Sequence, residues 1–354
     1  MDLLETLGRW ISDNESLLSG LAALIVVAGV ILSPIGGGLR RLRGQGGRRS
    51  TGPGPEPPEP AQPGAQSDPP ESITLKALTD PVPYPVHFAN SAGVRIAYLE
   101  RGDGPIDLVL APGIISHLHI CSHLPPIRDM MAALEAIAHV VVFDKRGQGL
   151  SDPTLEAPTV EERSEDIGAV MDAAGLERAV LLGISEGGPT CVRFAHDHPE
   201  RVQGLILVGT AASFAQRPDF PIGIAPEALD GMPRNWGRGV LRSIFFPSIS
   251  PATIDDETFR AALHLMATPA SVAQIVEMMK STDVRPLLPE IRVPTLVVHF
   301  AGDLAVPVRL GRALAEGIPE AEFFEATGVD HADIAQSPEA VERIRAFCER
   351  VTVS

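Results

Sequence analysis

The sequence predicts an α/β fold, in which a mainly parallel central sheet is covered by helices on both faces. Short apolar runs of strand length recur along the body of the chain. Amphipathic segments of helix length separate them, and glycine or proline marks many of the junctions. Continuous apolar strands alternating with helices are typical of parallel sheets that are buried on both faces.

Strand and helix patterns alternate from about Pro85 onward. The predicted elements in this first half are strands over 86–90, 94–100 and 107–111, a helix over 128–138, a strand over 140–144, a helix over 159–174, a strand over 178–182, a helix ending near 198 and a strand over 202–208. The helix over 159–174 opens with Thr159-Val-Glu-Glu162, which matches a capping box.

The alternation stops after residue 210, and we expect an insertion at about 211–288 that forms a helical cap above the sheet. Amphipathic helices are predicted near 254–266 and 271–281. The aromatic and methionine side chains of this segment either line a pocket or form the small core of the cap. Strands near 294–300 and 321–327 and a helix over 338–350 complete the prediction.

One serine is flanked by glycines where a predicted strand meets a predicted helix. The run Gly183-Ile-Ser185-Glu-Gly187 matches the pattern G-x-S-x-G. This turn is so sharp that the positions two before and two after the serine must be nearly free of side chain, which explains Gly183 and Gly187. We therefore predict that Ser185 is a nucleophile at the carboxyl end of its strand.

Two partners for this serine follow in the required order. Asp303 comes at the end of one later strand and His331 comes after the next one. A serine hydroxyl is a poor nucleophile, so a base must take its proton, and a carboxylate must orient that base and stabilise its charged form. We predict that His331 is the base and Asp303 the orienting acid.

Each partner also has an alternative role. Asp330 adjoins His331 and is a competing acid, although neighbours in a tight loop usually point apart. Asp303 alternatively caps a helix that begins near Val306, and His331 is alternatively a surface residue. His299 lies on an apolar strand and is predicted to be a packed core residue.

The predicted oxyanion hole consists of two backbone N–H groups. One belongs to Glu186, the residue after the nucleophile, and the other to Ile114, in the run Pro112-Gly-Ile114 after an early strand. Loss of one such donor typically costs about 2.7–4 kcal/mol of transition-state stabilisation. The side chain of Glu186 is alternatively a surface carboxylate that only caps its helix, and we assign it no catalytic role.

The composition narrows the classes of partner. A net charge of −16 argues against non-specific binding of nucleic acid. The sequence has no glycine-rich phosphate cradle, and the spacing of His117, His119 and His123 does not suit a metal site. We expect neither metal nor cofactor. Three widely spaced cysteines suit a reducing compartment without disulfides.

Together these motifs resemble the α/β-hydrolase superfamily over roughly residues 84–350. They are especially similar to the α/β-hydrolase modules found beside bacterial class III adenylate cyclase domains. The runs that carry this closer similarity are 112–114, 116–118, 143–152, 171–175 and 184–189. The sequence contains no cyclase domain, so a nucleotide-cyclising activity does not carry over. The resemblance implies a cofactor-free serine hydrolase that acts on an ester, thioester or lactone. A serine in place of an aspartate at the nucleophile position counts against haloalkane dehalogenase or epoxide hydrolase chemistry.

The amino-terminal part of the chain has a different character. The run from Leu17 to Ile35 is almost wholly apolar and carries no charge. As a helix it reaches about 28 Å, close to the hydrocarbon thickness of a bilayer. Arginines follow it and acidic residues precede it, so the rest of the chain is predicted to face the cytoplasm. An amphipathic or oligomerising helix is the alternative. We thus divide the chain into an amino-terminal segment (1–43), a Pro- and Gly-rich linker (44–72) and a hydrolase domain (73–354).

The leading functional hypothesis is a carboxylic-ester hydrolase, tethered to the inner (cytoplasmic) membrane by a single span and facing the cytoplasm, with a small acyl ester or lactone as substrate. A peptidase or carbon–carbon bond hydrolase using the same three residues is the second hypothesis. The third is a sensor that binds a hydrophobic ligand with a slow or idle triad. Association into a homo-oligomer is left open.

Overall fold

The computed structural model describes residues 72–331 and 333–352. The predicted membrane helix over 17–35 and nearly all of the predicted linker over 44–72 lie outside these residues. In the part of the chain that the structure describes, no helix combines the length and the apolar character that a membrane crossing requires.

The described residues form an eight-stranded sheet in the order β1-β2-β4-β3-β5-β6-β7-β8. The strands are β1 (His87–Ser91), β2 (Val94–Arg101), β3 (Asp107–Ala111), β4 (His139–Phe143), β5 (Ala179–Ile184), β6 (Val202–Val208), β7 (Thr295–Phe300) and β8 (Glu322–Ala326). The β1–β2 and β2–β4 pairs are antiparallel, whereas every pair from β4 across to β8 is parallel. The predicted mainly parallel sheet is confirmed.

Helices occupy the connections between the strands. The helices are α1 (Leu75–Thr79), α2 (Leu118–His123), α3 (Pro125–Glu135), α4 (Val160–Ala173), α5 (Gly187–Asp197), α6 (Pro226–Asn235), α7 (Val240–Phe245), α8 (Asp256–Met266), α9 (Pro269–Ser281), α10 (Val308–Gly317) and α11 (Pro338–Thr352). Short 3₁₀ turns lie at Pro199–Arg201, Arg285–Glu290 and Ile334–Gln336. The predicted capping box is present, because Thr159 and Glu162 bond reciprocally at the start of α4.

Two apolar cores lie on opposite faces of the sheet, since alternate strand residues point to opposite sides. In β3, Val109 and Ala111 belong to the core that includes residues of α4, α5 and α10. Leu108 and Leu110 belong to the core that includes residues of α3 and α11. The predicted covering of both faces by helices is therefore observed.

The strand order places a crevice beside β3. From β3 the chain moves to β4 on one side and then returns past β3 to β5 on the other. The loops that leave β3 and β5 therefore diverge, and open α/β sheets bind ligands at such a switch point. The pairing of Ala111 with Gly183 brings the ends of the two strands together. Residues 112–114 and Ser185 thus become neighbours.

The segment between β6 and β7 contains four helices, α6 to α9, that share an apolar cluster. Trp236 anchors this cluster, because its indole N–H donates to the carbonyls of Leu263 and Ala267 at 3.1 and 2.8 Å. Trp236, Phe259 and Met266 belong to the cluster and also line the pocket beside Ser185. Both roles considered for the cap side chains therefore apply to the same residues.

Several helices differ from the prediction. Helix α3 begins at Pro125 rather than near residue 128, because proline is tolerated in a first turn, where the N–H has no helical acceptor. Helices α1 and α2 were not predicted, and each is six residues or shorter. Helices α6 and α7 were not predicted because proline and glycine are frequent in and around them.

Candidate active site

Ser185 occupies a strained turn between β5 and α5. Its φ angle is +50°, in the left-handed region that residues other than glycine seldom adopt. Its N–H donates to the carbonyl of Val208 at 3.0 Å, and its own carbonyl accepts a hydrogen bond from the hydroxyl of Thr210. Neighbouring structure on β6 and just after it therefore holds the turn in place.

The two glycines of the motif allow the backbone to pack closely at this turn. A Cβ atom at Gly183 would lie 2.8 Å from the Cα of Gly188. A Cβ atom at Gly187 would lie 2.6 Å from the carbonyl oxygen of Pro112. Both positions thus exclude any side chain, as the sequence pattern predicts.

His331 and Asp303 are joined by a hydrogen bond. The distance from His331 Nδ1 to Asp303 Oδ2 is 2.8 Å, and both side chains are buried. An ionised carboxylate only accepts, so Nδ1 carries the hydrogen and Nε2 of the neutral ring presents a lone pair. Nε2 is buried and has no hydrogen-bond partner among the described residues, Ser185 Oγ included. His331 and Ser185 line the same pocket.

Asp303 makes the contacts that each of the two roles suggested by the sequence would require. Its Oδ2 atom binds His331, while its Oδ1 atom accepts from the backbone N–H groups of Ala305 and Val306 at 2.8 and 3.0 Å. These backbone bonds fix the carboxylate within the turn that precedes α10. The contact with the imidazole and the contacts within the turn therefore use different oxygens of one side chain.

The competing acid is held elsewhere. The Asp330 carboxylate accepts from the backbone N–H and the hydroxyl of Ser248, and from the side-chain amide of Gln336 at 3.1 Å. His299 is fully buried and donates through Nε2 to the carbonyl of Val306 at 2.7 Å. Burial lowers the pKa of His299, which keeps the ring neutral. It is a core residue, as the sequence predicts.

The residues chosen for the oxyanion hole lie on the two loops that meet beside β3. A Cβ atom at Gly113 would lie 3.2 Å from Ser185 Cβ, so the loop after β3 is in contact with the serine. Ile114 follows directly, and Glu186 follows Ser185. The N–H groups of Ile114 and Glu186 take no part in the hydrogen bonds that the described residues make with one another. Neither N–H group is thus occupied by an acceptor from these residues.

The alternative that Glu186 carries a surface carboxylate is wrong. Its side chain is buried and forms ion pairs with Lys145 and Arg163. The distance from Lys145 Nζ to Glu186 Oε2 is 2.6 Å, and Arg163 Nη2 lies 2.9 Å from the same oxygen. These partners are separated from Glu186 by 41 and 23 residues, and no local pattern in the sequence indicates them.

A mainly apolar pocket of about 170 Å³ opens beside Ser185. Its walls come from the loop after β3, from α3 and from the cap, and they include Ile114, Met130, Trp236, Phe245, Phe259 and Met266. The polar groups that reach it include Asp144 and Asp333. Burial raises the pKa of each of these carboxyls to about 6. The pocket suits an apolar group attached to the reacting centre.

The cap also contacts the histidine, which the sequence did not indicate. The backbone N–H of His331 donates to the carbonyl of Phe245, at the end of α7, over 2.7 Å. The ring of Phe245 packs edge-on against the imidazole with a centroid separation of 5.5 Å. Helix α7 therefore supports His331 at its backbone N–H and at its ring, in addition to the hydrogen bond that the imidazole makes with Asp303.

The other histidines that the sequence singled out serve local structure. His117 caps α2 by accepting from the N–H of Ile120, and His123 binds the carbonyl of Asp80 at 2.8 Å. Cys121 lines the pocket, with its sulfur 3.7 Å from the sulfur of Met266.

Comparison with known proteins places the chain among hydrolases. Residues 108–253 match a family model described as the α/β-hydrolase fold. A protein of Azorhizobium caulinodans assigned as the carbamate hydrolase RutD is 30% identical over 239 residues, which cover 63% of this chain and 86% of that protein. A 2-hydroxy-6-oxononadienedioate/2-hydroxy-6-oxononatrienedioate hydrolase of a Pseudomonas species is 29% identical over 204 residues, covering 55% and 71% respectively.

The solved structures give the same picture. The enol-lactonase of Burkholderia xenovorans superposes with a TM-score of 0.59 and 25% sequence identity. The match covers 75% of this chain and 98% of the lactonase.

Proposed function

Because the chain belongs to the α/β-hydrolase family, we propose that it is a serine hydrolase that cleaves carboxylic esters, including lactones. Ser185 is the nucleophile, His331 the general base and Asp303 the residue that orients it. One observation carries the proposal: the Asp303–His331 hydrogen bond leaves His331 Nε2 buried, with no partner among the described residues, in the pocket that Ser185 lines.

The proposed reaction has two halves. Ser185 Oγ attacks the acyl carbon while its proton passes to His331 Nε2, and the carbonyl electrons move onto the oxygen. The N–H groups of Ile114 and Glu186 stabilise that oxyanion. The oxyanion then collapses, the bond to the alcohol breaks, and His331 returns the proton to the departing alcohol. Water, activated by His331, releases the acid from Ser185 by the same route.

An ester with an apolar acyl or alcohol group fits the pocket best. Its walls are mainly aliphatic, aromatic and methionine side chains. A lactone is a cyclic ester, and the structurally similar Burkholderia protein is named as an enol-lactonase. A triad-based peptidase or carbon–carbon bond hydrolase is the second candidate. The similarity to relatives named for carbamate and oxononadienedioate hydrolysis favours testing amides, carbamates and diketones beside the esters.

A labelling and turnover experiment tests the proposed function. Wild-type protein is expected to react with a fluorophosphonate probe and to hydrolyse p-nitrophenyl esters. Ser185→Ala is expected to lose both properties while it keeps the wild-type circular dichroism spectrum. Ser281→Ala, on the exposed end of α9, is the control and is expected to keep both.

Persistent ester turnover in Ser185→Ala would refute the proposal. A strong ligand-induced rise in melting temperature, without any labelling of the wild type, would favour a hydrophobic-ligand sensor instead. A series of acyl chains from short to long then defines the preferred substrate.

We also propose that residues 17–35 tether the protein to the inner membrane, with the hydrolase domain on the cytoplasmic side. The uncharged apolar run and the arginines that follow it support this proposal. Full-length protein is expected to float with liposomes in a density gradient, and a chain starting at residue 44 is expected to stay at the bottom. Full-length protein that remains at the bottom would contradict the tether.

We likewise propose, on the motifs alone, that the chain is related to the α/β-hydrolase modules found beside class III adenylate cyclase domains.

A further inference from the structure

A buried lysine lies directly behind the two loops that meet at Ser185. Lys145 follows β4 by two positions, and its side chain is only 4% exposed. Its Nζ atom donates to the carbonyl of Gly113, to the carbonyl of Ile114 at 3.0 Å and to Glu186 Oε2 at 2.6 Å. All three hydrogen atoms of the ammonium group thus have acceptors.

Two of these acceptors are carbonyls of the loop that carries the proposed donor Ile114, and the third is the side chain of the other proposed donor residue, Glu186. The Gly113 carbonyl and the Ile114 N–H are parts of one peptide group, which is planar, with the two bonds pointing in opposite directions. An ammonium bound to that carbonyl fixes the direction of the N–H and polarises it. Glu186 supplies the other N–H, and its side chain is held by the same ammonium. One cation therefore contacts both halves of the proposed oxyanion hole.

We propose that Lys145 is a positioning residue that sets the geometry and polarity of the oxyanion hole formed by Ile114 and Glu186. This inference rests on the proposed hydrolase function. Lys145 acts through the two loops and takes no proton from the substrate. Because Lys145 acts on the groups that bind the oxyanion, it stabilises the transition state more than it stabilises the bound substrate.

The surroundings of Lys145 make its charge titratable. It faces Glu186 at the start of α5, Arg163 on α4 and Asp144 on its own loop, and it also influences the Cys121 thiol on α2. Burial, reinforced by the like charge of Arg163 and opposed by Glu186, lowers the pKa of Lys145 to about 8. We expect hydrolysis to decline above pH 8, where the ammonium loses its proton and its charge.

Lys145→Met tests the inference directly. Arg163 still neutralises Glu186 in this variant, so the Glu186 carboxylate keeps a buried cation as its partner. We expect kcat to fall about 10- to 100-fold while KM changes less than about threefold, because a donor used mainly in the transition state is weakened. Binding of a boronic acid, which mimics the tetrahedral intermediate, should weaken in proportion to kcat/KM. The circular dichroism spectrum confirms folding.

Arg163→Met is the matched comparison. It removes the other cation that binds Glu186, yet it leaves the three contacts of Lys145 in place. We expect a smaller loss of kcat than in Lys145→Met. Removal of the neighbouring positive charge should raise the pKa of Lys145, so the alkaline decline in kcat should move to higher pH. A purely structural role for Lys145 would not shift this part of the profile, and the measurement remains informative even if Lys145→Met fails to fold.

Wild-type kcat in folded Lys145→Met, or an alkaline decline that stays fixed or moves to lower pH in Arg163→Met, would overturn the inference. Failure of the proposed function has a different signature, since the wild-type protein would then neither label with the fluorophosphonate nor turn over esters.

Discussion

At the scale of single residues, the site contains two carboxylates, Asp303 and Asp330, that bind different partners. Asp303 uses one oxygen to hold its own turn and the other to bind His331 Nδ1. Asp330 adjoins His331 in sequence, yet its carboxylate binds Ser248 and Gln336. Proximity along the chain therefore does not predict which carboxylate binds the imidazole, whereas the order of the residues relative to the strands does.

Asp303→Asn is expected to reduce kcat by about 10³- to 10⁴-fold, because an amide no longer fixes the imidazole tautomer or stabilises its positive charge. Asp330→Asn is the matched variant and should reduce kcat much less, since its carboxylate is hydrogen-bonded to Ser248 and Gln336. Ester turnover of the two purified variants, at equal folded concentration, measures the difference. Equal losses of kcat in the two variants would contradict the assignment of Asp303 as the residue that orients His331.

At the scale of elements, the strand–turn–helix unit from β5 to α5 depends on the absence of side chains. Gly187 opens α5 directly beneath the loop that follows β3. That loop carries Gly113 and Ile114, so crowding at Gly187 affects both the stability of the unit and the proposed oxyanion hole. Stability of the unit and geometry of the proposed oxyanion hole therefore depend on the same backbone contact, between Gly187 and Pro112.

Gly187→Ala should therefore lower the free energy of unfolding by about 1–3 kcal/mol and also reduce kcat, because the new methyl group pushes against the carbonyl of Pro112. Gly231→Ala in α6 provides the contrast. Its nearest neighbour would be the side-chain nitrogen of Asn235 at 3.8 Å, and alanine favours the helix by about 0.5–1 kcal/mol. Urea unfolding and ester turnover report both effects. A neutral Gly187→Ala would contradict the packing described for the turn.

The sequence indicates the strands better than the cap or the buried charges. The predicted bounds of β3 and β6 match the structure, because a strand buried on both faces leaves a continuous apolar run between polar or glycine boundaries. Helices α6 and α7 carry no such signal, since Pro233 and the flanking glycines resemble loop sequence. The Glu186 ion pairs join segments that only the folded sheet brings together, so periodicity does not reveal them.

At the scale of the whole molecule, buried acids set part of the pH dependence of stability. Burial, and secondarily the charge of Asp330, raises the pKa of Asp333 to about 6, whereas an unfolded chain leaves it at its ordinary value near 4. Between these values the folded state binds a proton that the unfolded state does not. The contribution of Asp333 to stability is therefore present below pH 4 and is lost as the pH rises through 6.

Asp333→Asn should remove that loss, so its free energy of unfolding minus that of wild type should be more positive at pH 7 than at pH 4. Asp255→Asn should show the opposite sign. The backbone N–H of Thr258 lowers the pKa of Asp255 at the start of α8, and its contribution is present at neutral pH and declines in acid. Urea denaturation at pH 7 and pH 4 tests Asp333→Asn, and its extension to pH values below 4 tests Asp255→Asn. Matching pH trends in the two variants would refute the assignment for Asp333.

The support that Phe245 gives to His331 has a consequence for exchanging parts between relatives. A helical cap transplanted from a related hydrolase brings its own substrate selectivity. It also replaces the residue that packs against His331. Chimaeras whose α7 has no aromatic ring at the position of Phe245 are expected to change both specificity and rate. Chimaeras that retain this short helix are expected to change specificity alone.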